Sequence, residues 1–149
     1  MKVLTTLEPQ TRQDLLVLFM AGLLFWTSLA LLLPVLPLFV SDLGGTEQQV
    51  GFVMGAFAVG LVMSRRWIGR WTDQYGRKLV MLIGLGVVAI APLGYLVLYN
   101  IPSHILPHIP AMIGIRAFHG ISIAAFTTAY SALIVDISPV DKRGELLGY

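Results

Sequence analysis

Two long stretches of the sequence contain no Asp, Glu, Lys or Arg, and they constrain the fold more than any other feature. The first runs for 27 residues from Leu15 to Ser41, and the second runs for 37 residues from Leu79 to Ile115. A helix of about 20 apolar residues crosses a hydrocarbon core about 30 Å thick. Charged residues make up 12% of the chain, against roughly 25% in soluble globular domains. The sequence therefore predicts an integral membrane protein.

Four apolar segments are long enough to span a bilayer, at about residues 15–40, 49–71, 79–99 and 110–135, and a fifth begins near residue 144. Lipid offers no hydrogen-bond partner to the backbone, so each span is expected to be a helix, and no segment alternates like a barrel strand. The predicted fold is all-α, a polytopic transmembrane helix bundle. Residues 1–14 form a cytoplasmic N-terminal segment, and residues 15–149 form a membrane domain.

The basic residues predict the orientation of these spans. Nine of the ten lie before span 1, around the connection of spans 2 and 3, or after span 4: Lys2, Arg12, Arg65, Arg66, Arg70, Arg77, Lys78, Lys142 and Arg143. The loops at 41–48 and 100–110 contain no Lys or Arg. Loops rich in these residues stay on the cytoplasmic side. We therefore expect a multi-pass protein of the plasma (inner) membrane with both termini in the cytoplasm.

Two local patterns mark the second span. Thr46 and Gln49 have the spacing of a capping box, in which each side chain bonds a backbone N–H of the other residue. Small residues then recur at four-residue spacing, namely Gly51, Gly55, Ala56 and Gly60. Such a stripe favours close helix packing in lipid, although glycine is common in membrane helices in general.

The connection of spans 2 and 3 carries the most specific motif, Gly69-Arg-Trp-Thr-Asp73-Gln-Tyr-Gly76-Arg77-Lys78. Gly76 supplies a turn without the steric cost of a Cβ. Asp73 lies within reach of Arg77 across that turn, and a carboxylate and a guanidinium can form a bidentate pair. The alternative is that the basic residues serve only to orient the spans, with Asp73 an ordinary carboxylate at a helix end.

This motif resembles the signature of the major facilitator superfamily. Three further patterns are similar to motifs of the same family: Pro34-Val-Leu-Pro37 in span 1, Arg116-Ala-Phe-His119-Gly120 in span 4, and Arg143-Gly144 followed by Leu147-Gly148. The resemblance implies a gate that holds the cytoplasmic ends of two helical halves together in one conformation. Its residues would be Gly69, Asp73, Gly76, Arg77 and Lys78, with Asp136 as a candidate further member. Gln74 and the Arg65-Arg66 pair depart from the family pattern.

Arg116 is the only basic residue well inside a span. Intramembrane ionisable residues are expensive and mark functional sites by default. At helical spacing His119, Thr127, Tyr130 and Ser131 share its face of span 4, so this stripe is expected to line a substrate or proton pathway. The alternatives are that Arg116 extends to the outer interface, and that His119 is a buried histidine bonded to a neighbour rather than a proton relay.

Other kinds of site are not indicated. His104 and His108 are four residues apart, but Pro107 lies between them, so a helical metal pair is not expected. The phosphate-binding, zinc-protease and hydrolase motifs are absent, and no cofactor is predicted. The net charge of +2, without a basic patch beside stacking aromatics, does not suggest a nucleic-acid partner. The sequence therefore favours a protein that is not an enzyme.

The predicted function is a secondary active transporter that moves a small solute by alternating access, with proton-coupled efflux implied by the resemblance. Four spans and the start of a fifth correspond to an incomplete amino-terminal portion of such a transporter. Its expected partners are a small-molecule substrate, protons, the lipid bilayer and the remaining helices. The alternative is a four-span structural or assembly protein that packs through the small-residue stripe of span 2.

Overall fold

The computed structural model describes residues 8–148, apart from the side chain of Asp141. Lys2, which contributes to the predicted orientation, lies outside the described residues. The structure contains four long helices: α1 (Pro9–Asp42), α2 (Glu47–Tyr75), α3 (Arg77–Asn100) and α4 (His108–Ile137). A 3₁₀ turn (Val140–Lys142) and a short helix α5 (Arg143–Leu147) follow. All four long helices are long and apolar enough to cross a membrane, and no strand occurs within residues 8–148. The predicted all-α fold class is confirmed.

Each long helix extends a few residues beyond the apolar segment that predicts it. At its basic end α2 continues from residue 71 to Tyr75, and α1 begins at Pro9. A helix can continue into water because its backbone hydrogen bonds do not depend on side-chain polarity. Pro34 and Pro37 lie inside α1, and Pro92 lies inside α3. These helices therefore lack backbone bonds at the proline positions.

The two tight connections follow the local sequence. At the start of α2 the Gln49 backbone N–H donates to the Thr46 hydroxyl at 3.3 Å, and the Thr46 N–H donates to the Gln49 side-chain oxygen at 2.9 Å. The predicted capping box is therefore confirmed. Gly76 alone connects α2 to α3, with φ +88° and ψ 152°. This conformation is strained for any residue with a Cβ, so glycine is required there.

Helix α4 lies at the centre of the packing and contacts α2 and α3 most extensively, with α1 alongside. Glycines allow these close approaches. A Cβ at Gly60 would overlap the Ala117 carbonyl, and a Cβ at Gly120 would overlap the Phe57 carbonyl. A Cβ at Gly84 would lie 2.7 Å from the backbone nitrogen of Phe126. The helices therefore meet backbone to backbone, as small residues permit in membrane bundles.

The small-residue stripe of α2 divides between two environments. Ala56 is buried and Gly60 contacts α4, as the spacing predicts. A Cβ at Gly51 or Gly55 would meet nothing within 4 Å. Helix geometry explains this difference: Gly55 and Ala56 are adjacent and so lie about 100° apart round α2, which turns the Gly51–Gly55 pair away from α4 when the Ala56–Gly60 pair faces it.

We predict that Gly60→Ala lowers the free energy of unfolding by about 2 kcal/mol, because the added methyl group must push α2 away from α4. Gly55→Ala is the matched control. It should be neutral or stabilising by up to about 1 kcal/mol, because alanine is the better helix former and the space is open. Unfolding of the purified variants in mixed micelles measures both. Equal losses in the two variants would contradict the assigned α2–α4 contact.

Candidate functional site

The signature motif surrounds an open pocket of about 820 Å³ at the end of the bundle where α2 meets α3. Helices α2, α3 and α4 contribute its walls. The lining residues are Thr72, Asp73, Tyr75, Gly76, Arg77, Lys78, Leu79, Leu82, Leu133 and Asp136. The structure thus brings five of the six predicted gate residues to one pocket, and Gly69 lies one helical turn before Asp73 on α2.

Arg77 connects the beginning of α3 to the end of α4. Its Nη1 forms an ion pair with Asp136 and donates a hydrogen bond to the Ala132 carbonyl at 2.9 Å. The last turns of a helix carry a partial negative charge, which favours a cation there. Asp136, a carboxylate at that same end, would be unfavourable without such a partner. Arg77 therefore neutralises both the side chain and the end of α4.

The partner of Arg77 differs from the expected one. The sequence suggested a pair between Asp73 and Arg77, whereas within residues 8–148 the ion pair of Arg77 is with Asp136. Packing explains the correction: because α4 runs along α3, its last turn brings Asp136 and the Ala132 carbonyl to the level of Arg77. The spacing within the motif does not reveal this neighbour from the fourth helix.

Asp73 and Gly69 lie on an open face of α2. Asp73 is exposed, and the structure gives it no ion pair within the described part of the chain. A Cβ at Gly69 would meet nothing within 4 Å. Lys78 is likewise exposed, without an ion pair among residues 8–148. The motif therefore combines a paired Arg77 with a carboxylate that is presented outward.

The Arg77–Asp136 pair is half-exposed, with 39% and 50% of the two side chains accessible. Ion pairs of this exposure contribute about 0 to 1 kcal/mol, because solvent screens the attraction and both side chains lose freedom. The interaction fixes geometry at the end of the bundle without dominating its stability.

Arg116 lies inside the bundle and is only 3% exposed. Its guanidinium carbon lies 4.4 Å from the centroid of the Phe57 ring, a cation–π distance. Its Nη1 lies 3.4 Å from His119 Nδ1, and its Nε has no hydrogen-bond partner. No carboxylate pairs with it among the described residues. A buried guanidinium without a counter-charge is costly.

A cavity of about 290 Å³ between α1, α2 and α4 gives access to Arg116. Its lining is otherwise apolar: Trp26, Leu29, Ala30, Leu33, Met54, Phe57 and Ile123. One charged group in an apolar and aromatic cavity is the composition expected of a site for a small ligand, in which few polar groups set the orientation.

The other residues of the predicted stripe lie elsewhere on α4. His119 is fully buried against the edge of the Phe57 ring, with 5.6 Å between the ring centroids, and its Nε2 has no partner. Thr127 donates its hydroxyl hydrogen to the Ile123 carbonyl at 2.7 Å. The lining of the Arg116 cavity does not include His119, Thr127 or Tyr130.

Tyr130 stacks on Phe126 at a centroid separation of 5.0 Å. A Cβ at Gly22 of α1 would lie 2.9 Å from the Tyr130 hydroxyl, so this contact holds α1 close to α4. Ser131 is exposed. The roles of His119, Thr127 and Tyr130 in a substrate or proton pathway stay predictions.

Sequence reasoning missed two neighbours of Arg116. Phe57 was not singled out, because a phenylalanine in an apolar helix carries no signal of its position. Tyr95 of α3 is 5% exposed. Its buried hydroxyl lies near the Arg116 guanidinium but has no hydrogen-bond partner. In the sequence, Tyr95 could have been found as a residue with a hydroxyl group in a span that contains no charged residue.

The loop between α3 and α4 is tied down by a histidine at the start of α4. His108 Nε2 donates to the Ile101 carbonyl at 2.7 Å, which ties the start of α4 to the end of α3. Within residues 8–148 no group of three or more His, Cys, Asp or Glu residues has the geometry of a metal site.

Comparison with known proteins places these features in a family. The sequence profile of the Major Facilitator Superfamily matches residues 18–149. Multidrug resistance protein 2 of Bacillus subtilis (strain 168) is 26% identical over 121 residues, which are 81% of this chain and 28% of that protein. Quinolone resistance protein NorA of Staphylococcus aureus (strain N315) is 28% identical over 137 residues, 92% of this chain and 33% of that protein. The chain thus spans about a third of the length of these curated relatives. No solved structure matches the chain significantly.

We predict that Arg77→Gln and Asp136→Asn are energetically coupled, by about 0.5 to 1 kcal/mol in a double-mutant cycle of unfolding free energies. The reason is that each single substitution already removes the same ion pair. Arg77→Gln combined with Asp73→Asn is the matched control and should show coupling near zero. Stronger coupling to Asp73 than to Asp136 would contradict the observed pairing.

Proposed function

The chain belongs to the Major Facilitator Superfamily, and from this membership we propose that it acts as part of a secondary active transporter that exports a small solute in exchange for protons. The resemblance found in the sequence motifs and the profile match over residues 18–149 support the family. The names of the relatives, a multidrug resistance protein and a quinolone resistance protein, support efflux of drug-like compounds. Transport of this kind moves the solute without covalent chemistry.

The arrangement of the signature motif is the observation that carries this proposal. Arg77 pairs with Asp136 at the end of the bundle, whereas Asp73 is exposed one helical turn after Gly69, where a second helix has room to approach. Because the relatives are about three times as long as the matched region, we infer that the partner of Asp73 comes from segments outside it. The gate then consists of a permanent α3–α4 pair and an Asp73 contact that forms in only one conformation.

The cavity at Arg116 supplies a second element of the mechanism. Its apolar and aromatic walls suit a lipophilic solute. The unneutralised guanidinium favours the ionised form of any carboxylate that approaches it. A proton-carrying carboxylate and an anionic group of the solute would compete for this one cation. Such competition couples solute movement to proton movement without any residue changing its covalent state.

Charge asymmetry supports the proposed orientation. Within the described residues, every Lys and Arg except Arg116 lies toward the end of the bundle that contains Gly76. We propose that this end lies in the cytoplasm, with both termini on that side of the plasma (inner) membrane, because loops rich in Lys and Arg stay on the cytoplasmic side.

The alternative function, a four-span assembly protein, draws on a different observation. Gly51 and Gly55 leave an open strip along α2 where a partner helix can approach closely. Such a protein would associate with its partner independently of Asp73 and Arg116, and it would export no solute. The two functions are therefore separated by efflux measurements on variants of these two residues.

We predict that Asp73→Asn reduces efflux of a fluorescent quinolone at least tenfold in cells that express the full-length transporter of which this chain is a part and that lack other exporters. The substitution keeps the size of the side chain but removes the charge that the gate requires. Gln74→Asn, at the neighbouring exposed position, is the matched control and should leave efflux within about twofold. Unchanged efflux in Asp73→Asn, at equal amounts of protein in the membrane, would rule out the proposed gate.

We predict that Arg116→Met abolishes proton-driven efflux while leaving the unfolding midpoint unchanged or higher. Replacing a buried charge by an apolar side chain of similar length is often neutral or stabilising, so loss of efflux would not reflect unfolding. The readout is uptake of the same quinolone into inside-out vesicles under an imposed proton gradient, with unfolding of the purified variant measured in parallel. Full activity of Arg116→Met would exclude a coupling role for Arg116.

A further inference from the structure

A second, apolar groove runs along the outside of the bundle, on a different face from the Arg116 cavity. Helices α2, α3 and α4 enclose about 690 Å³ there. The α2 wall consists of Gly60, Met63, Ser64, Trp67, Ile68 and Trp71, opposite Ile83 and Val87 of α3. Ala117, Phe118 and Ile121 of α4 form the rest of the lining. The single hydroxyl, on Ser64, is already bonded to the Gly60 carbonyl at 2.7 Å. Apart from the indole N–H groups of Trp67 and Trp71, the groove therefore offers apolar contact.

The groove crosses the level at which the hydrocarbon core ends. Helix α2 has no charged residue between Glu47 and Arg65, a rise of about 27 Å, close to the thickness of a hydrocarbon core of about 30 Å. Gly60 and Met63 therefore lie at acyl-chain depth, whereas Trp67 and Trp71 lie near the headgroups. Tryptophan is enriched at that level, and both indoles are exposed, by 53% and 44%.

Unpaired positive charge surrounds the headgroup end of the groove. Arg65, Arg66 and Arg70 are all exposed, and the structure gives none of them an ion pair within residues 8–148. At about 100° per residue, Arg70 lies about 60° from Trp67 around α2, beside the groove, whereas Arg65 lies about 160° away on the far side. Arg70 can therefore reach an anionic group at the mouth of the groove, and Arg65 cannot.

We propose that this groove binds an anionic phospholipid, with one acyl chain between α2, α3 and α4 and the phosphate held by Arg70. The charge supports this occupant over a further helix, because an apolar helix would leave the arginines beside the mouth without counter-charges. Basic sites between transmembrane helices near the cytoplasmic face bind anionic headgroups. The proposal needs the chain to lie in a bilayer, and it does not depend on transport.

Quenching by brominated lipids tests the site directly. The protein carries Trp26→Phe and Trp71→Phe, so that Trp67 is the only tryptophan and can be excited selectively over tyrosine. It is reconstituted in bilayers containing phosphatidylglycerol or phosphatidylcholine with brominated acyl chains. We expect phosphatidylglycerol to associate at Trp67 about fivefold more strongly than phosphatidylcholine, the contribution of about one basic residue at the surface. A reporter with Trp26 alone, on α1, should show no preference.

Two arginine variants then separate a specific headgroup contact from a general basic surface. Arg70→Gln should remove the preference at Trp67, and Arg65→Gln should keep at least half of it. Raising the salt concentration should weaken the preference, because the headgroup contact is exposed to solvent. Three outcomes would each overturn the proposal: equal quenching by the two lipids, equal effects of the two variants, or no quenching of Trp67, which would mean that another helix covers the groove.

Discussion

The close crossing of α2 and α4 is the contact on which the other features depend. Gly60 meets the Ala117 carbonyl and Gly120 meets the Phe57 carbonyl, so the two backbones touch on both sides of one crossing point. This crossing sets the Phe57 ring against Arg116 and His119. On the opposite face it brings Gly60 and Ala117 together at the bottom of the outer groove. The Arg116 cavity and the outer groove therefore both depend on one backbone contact, because small residues let two apolar helices approach this closely.

At the end of the bundle near Gly76, side-chain packing contributes most of the folding free energy and the ion pair contributes little. Helices α3 and α4 are held by the contact of Gly84 with Phe126 and by buried apolar side chains such as Val88 and Ala129. The half-exposed Arg77–Asp136 pair adds little to that stability. The packing of α3 on α4 keeps Arg77 beside Asp136, so the pair itself needs to contribute little energy to stay formed.

The sequence predicted what is set locally and missed what depends on tertiary neighbours. The four spans, the Thr46–Gln49 cap and the Gly76 turn follow from apolar length, side-chain spacing and backbone conformation. The sequence paired Arg77 with Asp73 and offered Asp136 only as a further member of the gate, because Asp136, 59 positions later in the chain, reaches Arg77 only through the packing of α4 on α3. Phe57 was missed for the same reason, since periodicity predicts the buried face of a helix but not which side chain lies beneath a guanidinium.

Arg77 and Arg116 occupy opposite electrostatic environments, and this contrast supports the proposal that they have different roles. Arg77 is half-exposed and has a carboxylate, a carbonyl and the end of α4 as partners, so its position is fixed at little energetic cost. Arg116 is buried, with an aromatic ring, a histidine and no carboxylate among the described residues. A cation–π contact recovers only part of the lost hydration energy. Arg116 therefore keeps an unsatisfied attraction for anions, which a transporter can use to couple the arrival of one ligand to the release of another.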